Sequence, residues 1–492
     1  VGQSTASAQR RGQEDALQEQ ATGAYEVRAS SHPLPEHPVS PRQRAALLAL
    51  GSVLVPSRYN VPVKLDDGRV AVYNTFSATL SVLPGRAWER FLSIGSRTSF
   101  DPGAIPAPLK SLQNSGFLVP EGTDEIELVR QYYQRARYDR LSGFSANVLL
   151  TMGCNLACQY CFQGRTQVET KPRMMAAETE NAVAEYLMRS AAGTKSLTLA
   201  WFGGEPLLGL RQIERMTPKL TGFCDAEGIV YRAVIQSNGV LLNREAVDGL
   251  AEALVSQIQV TLDVPAELKN DKQGRDTQDR VLDNLAYAAG RIPVQIRINL
   301  SRDDEKEWDR LYDGLVSRGL HKTITGMVIA HVYEPEAGRR NGVGSAESHQ
   351  TYVDVLRREH QRATALGLPM PPPVTSRCGT GCAATSIAAV TIDPEGLLYK
   401  CPDDAGQPGR AHGSVFSESV ANPGNLLHWL SYDWFNHAEC RECTMLPQCA
   451  GGCAHKRLFQ PGQPDGSYCY WYLRGNLEER IRAAHENLGG RD

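Results

Sequence analysis

From about residue 126 to 372 the chain repeats one unit: a short apolar run, a cluster of polar residues, then a stretch with apolar positions three and four apart. The apolar runs cover residues 147–150, 196–202, 233–235, 258–263, 294–299 and 325–329. Each predicts a strand followed by a helix, and the polar residues gather at the strands' C-terminal ends, where α/β barrels build their sites. Upstream, over 49–125, the period changes. Val61, Val63 and Leu65 alternate with other residues, as do Val70 and Val72, around Asp66-Asp67-Gly68-Arg69. This predicts a hairpin, because Asp-Gly accepts positive φ. Helical spacing follows around Trp88, Phe91 and Leu92 and around Leu109 and Leu112, ending at Gly116 before the return run Phe117-Leu118-Val119. Hairpin, helices and returning strand read as a small winged-helix-like module. Residues 1–48 carry Pro33, Pro35, Pro38 and Pro41 among polar residues and predict a mobile extension.

With 492 residues the chain has length for about three domains. A net charge of −3 leaves no nucleic-acid footprint. No apolar run approaches the ~20 residues of a membrane span, and residues 1–48 contain no apolar segment for secretion. Nucleic acid and membrane are therefore not expected as partners.

Eleven of the twelve cysteines fall into three groups. Cys154, Cys158 and Cys161, separated by gaps of three and two residues, let one tight loop aim three thiolates at a single iron–sulfur cubane. Only three ligands are offered, so the fourth iron is left open. A disulfide framework is not needed in a chain with 41% hydrophobic residues, and zinc would want a fourth ligand that is not near Cys161. From 373 to 492 stand Cys378, Cys382, Cys401, Cys440, Cys443, Cys449, Cys453 and Cys469. Paired cysteines of this kind also make zinc ribbons, so two zinc ions are the rival to two clusters. Cys224 stands outside every group and reads as a buried small hydrophobe.

The first cysteine loop, with Tyr160 before its last cysteine, resembles the signature of the radical SAM superfamily. That resemblance implies an α/β fold with an open (β/α)6 barrel and a 4Fe–4S cluster whose open iron is chelated by S-adenosylmethionine, from which a 5′-deoxyadenosyl radical is made. Gly203-Gly204-Glu205-Pro206 is similar to the family's second marker, with glycines for close backbone approach and a carboxylate to pair with the methionyl ammonium. The family also implies cofactor contacts from Tyr160, Ser237 and Asn238, and from Thr261, Asp263 and Arg297 at the next strand ends. Val264 and Lys269 depart from the glycine and histidine of peptide-modifying members, and contacts there are not carried over.

The C-terminal cysteines resemble the SPASM extension of peptide and protein maturases. The resemblance implies one auxiliary 4Fe–4S cluster on Cys378, Cys382, Cys401 and Cys453, and another on Cys440, Cys443, Cys449 and Cys469, giving three clusters in all. Related sulfatase maturases place a basic aspartate directly after the cysteine equivalent to Cys401. Here Pro402 intervenes, so Asp403 and Asp404 are the candidates, a turn or cap role being the alternative. His412 and His455 lie close by and read as structural. The N-terminal module resembles the domain through which many such enzymes bind the leader of a precursor peptide, as a strand added to a sheet edge.

The implied function is oxidative maturation of a ribosomally made peptide, with an intramolecular side-chain crosslink as product. The implied reductant is a small electron-transfer protein, flavodoxin or ferredoxin, and the setting a reducing cytoplasm. The alternatives are a sulfatase-type maturase making formylglycine, and an electron-transfer or scaffold protein without cofactor chemistry.

Overall fold

The computed structural model describes residues 26–28, 53–93, 107–158, 161, 163, 173–266, 277–301, 303–331, 346–371, 382–459 and 477–489. Its first sheet holds four antiparallel strands in the order β1 (Glu26–Arg28), β5 (Thr79–Leu83), β4 (Val70–Asn74), β3 (Asn60–Lys64). The expected hairpin is β3–β4, turning at Gly68 with φ +82°. β1 lies inside the segment expected to be a mobile extension. Three residues are too few to show a period, which is why the hydropathy pattern did not reveal it. The return run also behaves differently, since β6 (Leu118–Pro120) leaves the hairpin sheet and pairs with β2 (Leu54–Pro56).

Both faces of this sheet are covered, as its alternating apolar residues require. Val70, Val72 and Leu83 pack against Phe91, Leu112 and Phe117, which come from the helices Gly85–Ser93 and Ala107–Asn114 and the turn that follows. On the opposite face Val63, Ala71, Tyr73 and Leu80 meet Met445 and the helix Leu477–Gly489 through Leu477, Ile481 and Ala484.

The six strands expected from the repeating unit are β7 (Phe144–Leu149), β8 (Ser196–Phe202), β9 (Val230–Ser237), β10 (Val255–Val264), β11 (Val294–Leu300) and β12 (Gly326–His331). They run parallel, each beside the next in chain order. Leu197, Leu199 and Trp201 of β8 are fully buried under Val183, Leu187, Ile213, Met216 and Leu220, from the helices Ala177–Ala191 and Leu210–Glu227. The alternate positions face the concave side and are only half-buried. That side is polar: Gln259 donates to Gln295 at 2.9 Å and Arg297 to Asn299 at 3.1 Å.

The sheet does not stop at the boundary expected near residue 372. β13 (Ala389–Ile392) lies parallel to β7, and β14 (Leu397–Tyr399) and β15 (Gly413–Ser414) follow antiparallel, making nine strands. On the concave side Asn147 of β7 donates to Thr391 of β13 at 3.2 Å. Among the described residues no helix is long and apolar enough to cross a membrane.

One arginine ties the front of the chain to the cysteine-rich region. The helix Glu125–Tyr138 is capped by Asp124, which accepts from the Glu127 N–H. Near its end Arg137, 4% exposed, donates to the carbonyls of Thr385 (3.1 Å), Leu430 (2.8 Å) and Tyr432 (2.8 Å), with the Trp434 ring centroid 5.3 Å away. A planar guanidinium reaches several carbonyls at once, which an ammonium cannot do. Arg137→Ala is expected to lower stability by about 3 kcal/mol, since buried acceptors lose charged donors, and Arg137→Lys to restore less than half. Denaturant midpoints at constant m-value are the check.

Candidate active site

The first cysteine loop leaves β7 at the C-terminal end of the parallel sheet. Thr151 anchors it, donating to the Arg173 carbonyl (2.8 Å) and accepting from the Gly153 N–H (3.0 Å). The segment after β8 lies directly on this loop. Gly204 N–H donates to Thr151 O and Glu205 N–H to Gly153 O, both at 3.0 Å. A Cβ on Gly203, whose φ is +137°, would come within 2.3 Å of Thr151 O, and one on Gly204 within 2.1 Å of Gly153 O. The two glycines thus permit backbone to lie against the cysteine loop itself, a reason distinct from the expected approach to a ligand.

Glu205 is fully buried. Oε1 accepts from Leu207 N–H (3.0 Å) and the Ser237 hydroxyl (2.8 Å), and Oε2 accepts from Asn238 N–H (2.8 Å). The carboxylate therefore binds the end of β9 to the segment after β8, where the sequence suggested a partner for the cofactor's ammonium. Asn238 carries the linkage onward, its Nδ2 donating to Asn155 Oδ1 at 2.8 Å and reaching Cys154 Sγ at 3.6 Å. In parallel register, Thr261 pairs with Arg297 and Asp263 with Asn299 at the C-terminal ends of β10 and β11, on the concave side. Gln259, Gln295 and Asn299 line the same side and were not singled out from the sequence. Their signal is a polar residue at every second position of strands that otherwise read as apolar.

Cys154, Cys158 and Cys161 are half-buried. Burial pushes the Cys154 thiol up to about 11, with the charges of Glu205 and Cys161 adding to the rise and the Leu156 and Asn238 donors opposing it. A thiolate here needs a positive partner, and iron supplies one. Among the described residues no three His, Cys, Asp or Glu side chains are gathered closely enough for a single metal ion. Three half-buried thiols on one loop, at gaps of three and two residues, suit the ligand set of a cluster. Tyr160 and Lys269 lie outside the described residues.

In the C-terminal region Cys382 and Cys401 belong to one apolar cluster with Ala384, Trp429 and Ala454. Cys440 Sγ accepts from Arg457 Nη2 at 3.4 Å. Cys443 and Cys449 are half-buried, as is Cys453, whose carbonyl accepts from Arg457 N–H at 3.2 Å. Cys378 and Cys469 lie outside the described residues. The two aspartates part company: Asp403 is exposed, whereas Asp404 is 1% exposed and engages His455 Nε2 (3.2 Å) and Arg410 Nη1 (3.4 Å). Cys224 is fully buried between its helix and the sheet, on the side away from the concave face.

The Radical SAM superfamily model matches residues 148–314, from the last residues of β7 into the helix after β11. A serine-type anaerobic sulfatase-maturating enzyme of Klebsiella aerogenes is 22% identical over 68% of this chain and 85% of its own length. The radical SAM cyclopropyl synthase TigE of Paramaledivibacter caminithermalis is 21% identical over 81% of this chain and 89% of its own. Among solved structures, native anSMEcpe with bound AdoMet has a TM-score of 0.53 at 16% identity, covering 70% of this chain and 99% of that one. Native anSMEcpe has also been solved with AdoMet and the Cp18Cys peptide, at TM-score 0.52, 16% identity and the same coverages. These structural likenesses establish the fold.

Two predictions follow from the geometry. Gly204→Ala is expected to displace the cysteine loop and abolish iron incorporation at Cys154, Cys158 and Cys161. Iron and sulfide per chain should drop by one cluster's worth while far-ultraviolet circular dichroism is unchanged. The second concerns His412, 8% exposed, which burial and the Lys400 charge hold down at about 4 from an ordinary 6.5. The folded chain thus resists a proton that the unfolded chain accepts, so stability is full above pH 6.5 and is lost as pH falls toward 4. Between pH 7 and 5 the wild type should lose about 2 kcal/mol more than His412→Leu, read from denaturation at each pH.

Proposed function

We propose that this radical SAM enzyme, as its domain over residues 148–314 identifies it, oxidatively modifies a ribosomally made precursor peptide and closes an intramolecular side-chain crosslink. The observation that carries this reading is the convergence of the Cys154–Cys158–Cys161 loop, the Glu205 linkage and the polar concave face at one end of the parallel sheet. The relatives agree with it in kind, one being named for maturing a sulfatase and one for making a cyclopropyl group.

The residues divide the work. The cysteine loop would hold a 4Fe–4S cluster, with S-adenosylmethionine against Ser237, Asn238, Thr261, Asp263 and Arg297. Glu205 fixes the β9 end and the loop relative to each other, so that positioning is built in before a ligand arrives. Cys378, Cys382, Cys401 and Cys453 would hold one auxiliary cluster, and Cys440, Cys443, Cys449 and Cys469 the other. Loaded, these groups would supply hydrogen-atom abstraction and an exit for the second electron, so that the substrate loses two hydrogens, one as an atom and one as a proton. Asp403, exposed beside Cys401, is the acidic side chain open to take that proton, whereas Asp404 is engaged with His455 and Arg410. A flavodoxin or ferredoxin is the proposed reductant.

The sulfatase-maturating relative favours a second reading, oxidation of Ser or Cys in a protein to formylglycine. Anaerobic co-expression with the small peptides encoded beside the gene separates the two. The expected outcome is a peptide lighter by two hydrogens, with fragmentation locating a crosslink, absent with Cys158→Ala and reduced at least about tenfold with Asp403→Asn. Cys224→Ala should leave the product unchanged. No mass change in any neighbouring peptide would overturn the peptide reading.

A further inference from the structure

The sheet of the N-terminal module has two covered faces, so a partner can reach its backbone only at an edge. One edge is β3, where Pro62 stands exposed at the centre of the strand and Lys64 is exposed near its end. Proline removes the N–H that a further strand would need, and a charged residue blunts an edge in the same way. The other edge is β5, Thr79-Leu80-Ser81-Val82-Leu83, which carries neither proline nor charge. By composition β5 is the edge built to accept a strand.

That edge is already engaged by the chain itself. Glu26 pairs with Val82, Val27 with Ser81 and Arg28 with Leu80, antiparallel, so the ladder covers three of β5's five positions. A ladder over three residues offers few backbone hydrogen bonds, so its advantage over a free peptide is that it belongs to the same chain, at an effective concentration on the order of mM.

We propose that β5 is the peptide-accepting edge of this module and that residues 26–28 fill it in cis, so that an extended peptide binds by exchanging with the chain's own strand. The partner fitted to this edge is an unfolded peptide with five consecutive residues free of proline, able to pair along the whole of β5. This rests on the peptide reading above, and it adds a competitor that any such peptide displaces. Apparent affinity is then reduced by the fraction of molecules whose edge is open.

In the antiparallel alternation Leu80 and Val82 face the cis strand, opposite Arg28 and Glu26. The test uses the full chain, as wild type and as Arg28→Pro, which takes from the cis strand an N–H that faces β5. The probe is a fluorescein-labelled synthetic peptide copying residues 21–31, read by anisotropy. Hydrogen exchange at the Leu80 and Val82 amides reports the edge directly. Arg28→Pro should bind the probe at least about tenfold more tightly than wild type. Its Leu80 and Val82 amides should exchange faster, and saturating probe should restore their protection. Equal affinity of the two proteins for the probe, no binding to Arg28→Pro, or unchanged exchange at Leu80 and Val82 would each overturn the proposal. Because the probe is the chain's own sequence, this outcome is independent of precursor masses. Probe exchange without any modified peptide would leave the edge standing and remove the peptide reading, and the reverse result would do the opposite.

Discussion

A fully buried carboxylate is the constraint on which the centre of this molecule depends. Glu205 accepts hydrogen bonds from a backbone N–H on its own turn and from a hydroxyl and an N–H at the end of the neighbouring strand. An anion without solvent must have such donors, and in meeting that need it locks two strand ends together. The N–H of the same residue is bonded to the cysteine loop, so three consecutive strand ends share one frame. Chemistry that depends on placing a reactive group within fractions of an ångström asks for this kind of rigidity.

The frame extends outward by backbone pairing and by Arg137. Because β13 continues the parallel sheet beside β7, the cysteine-rich region is joined to the barrel through a hydrogen-bonded ladder. Arg137 makes the second joint, gathering carbonyls from residues 385, 430 and 432 onto a helix that precedes the barrel. The N-terminal sheet makes the third, through Tyr73 bonded to Gln448 and Thr75 bonded to the Thr444 carbonyl at 2.5 Å, within the stretch between Cys443 and Cys449. The N-terminal sheet and the cysteine-rich stretch are thereby neighbouring parts of one packed unit.

The six parallel strands were legible because each is long enough for a periodic signal and ends in a polar cluster. The cysteine loop and Gly203-Gly204-Glu205 were legible as local patterns of unusual spacing. The long-range partners of individual residues were not. That Glu205 faces Ser237 and that the glycines meet Thr151 and Gly153 are facts of long-range packing, which no window of sequence contains. β1 was hidden for a different reason, since a three-residue strand is specified by its partner's edge and not by its own composition. The continuation of the sheet into β13 was missed because the cysteines, the loudest feature after residue 373, suggested a separate unit.

The N-terminal sheet has a history as well as a place. Val63, Ala71, Tyr73 and Leu80 rest against Leu477, Ile481 and Ala484, side chains that leave the ribosome some four hundred positions later. At about 5–20 residues per second that interval is on the order of a minute or less. Throughout it the sheet's apolar face lacks the cover that the helix Leu477–Gly489 gives it. One face of a sheet made early is therefore completed by a helix made late, so the two ends of this stretch of chain must meet before that face is buried.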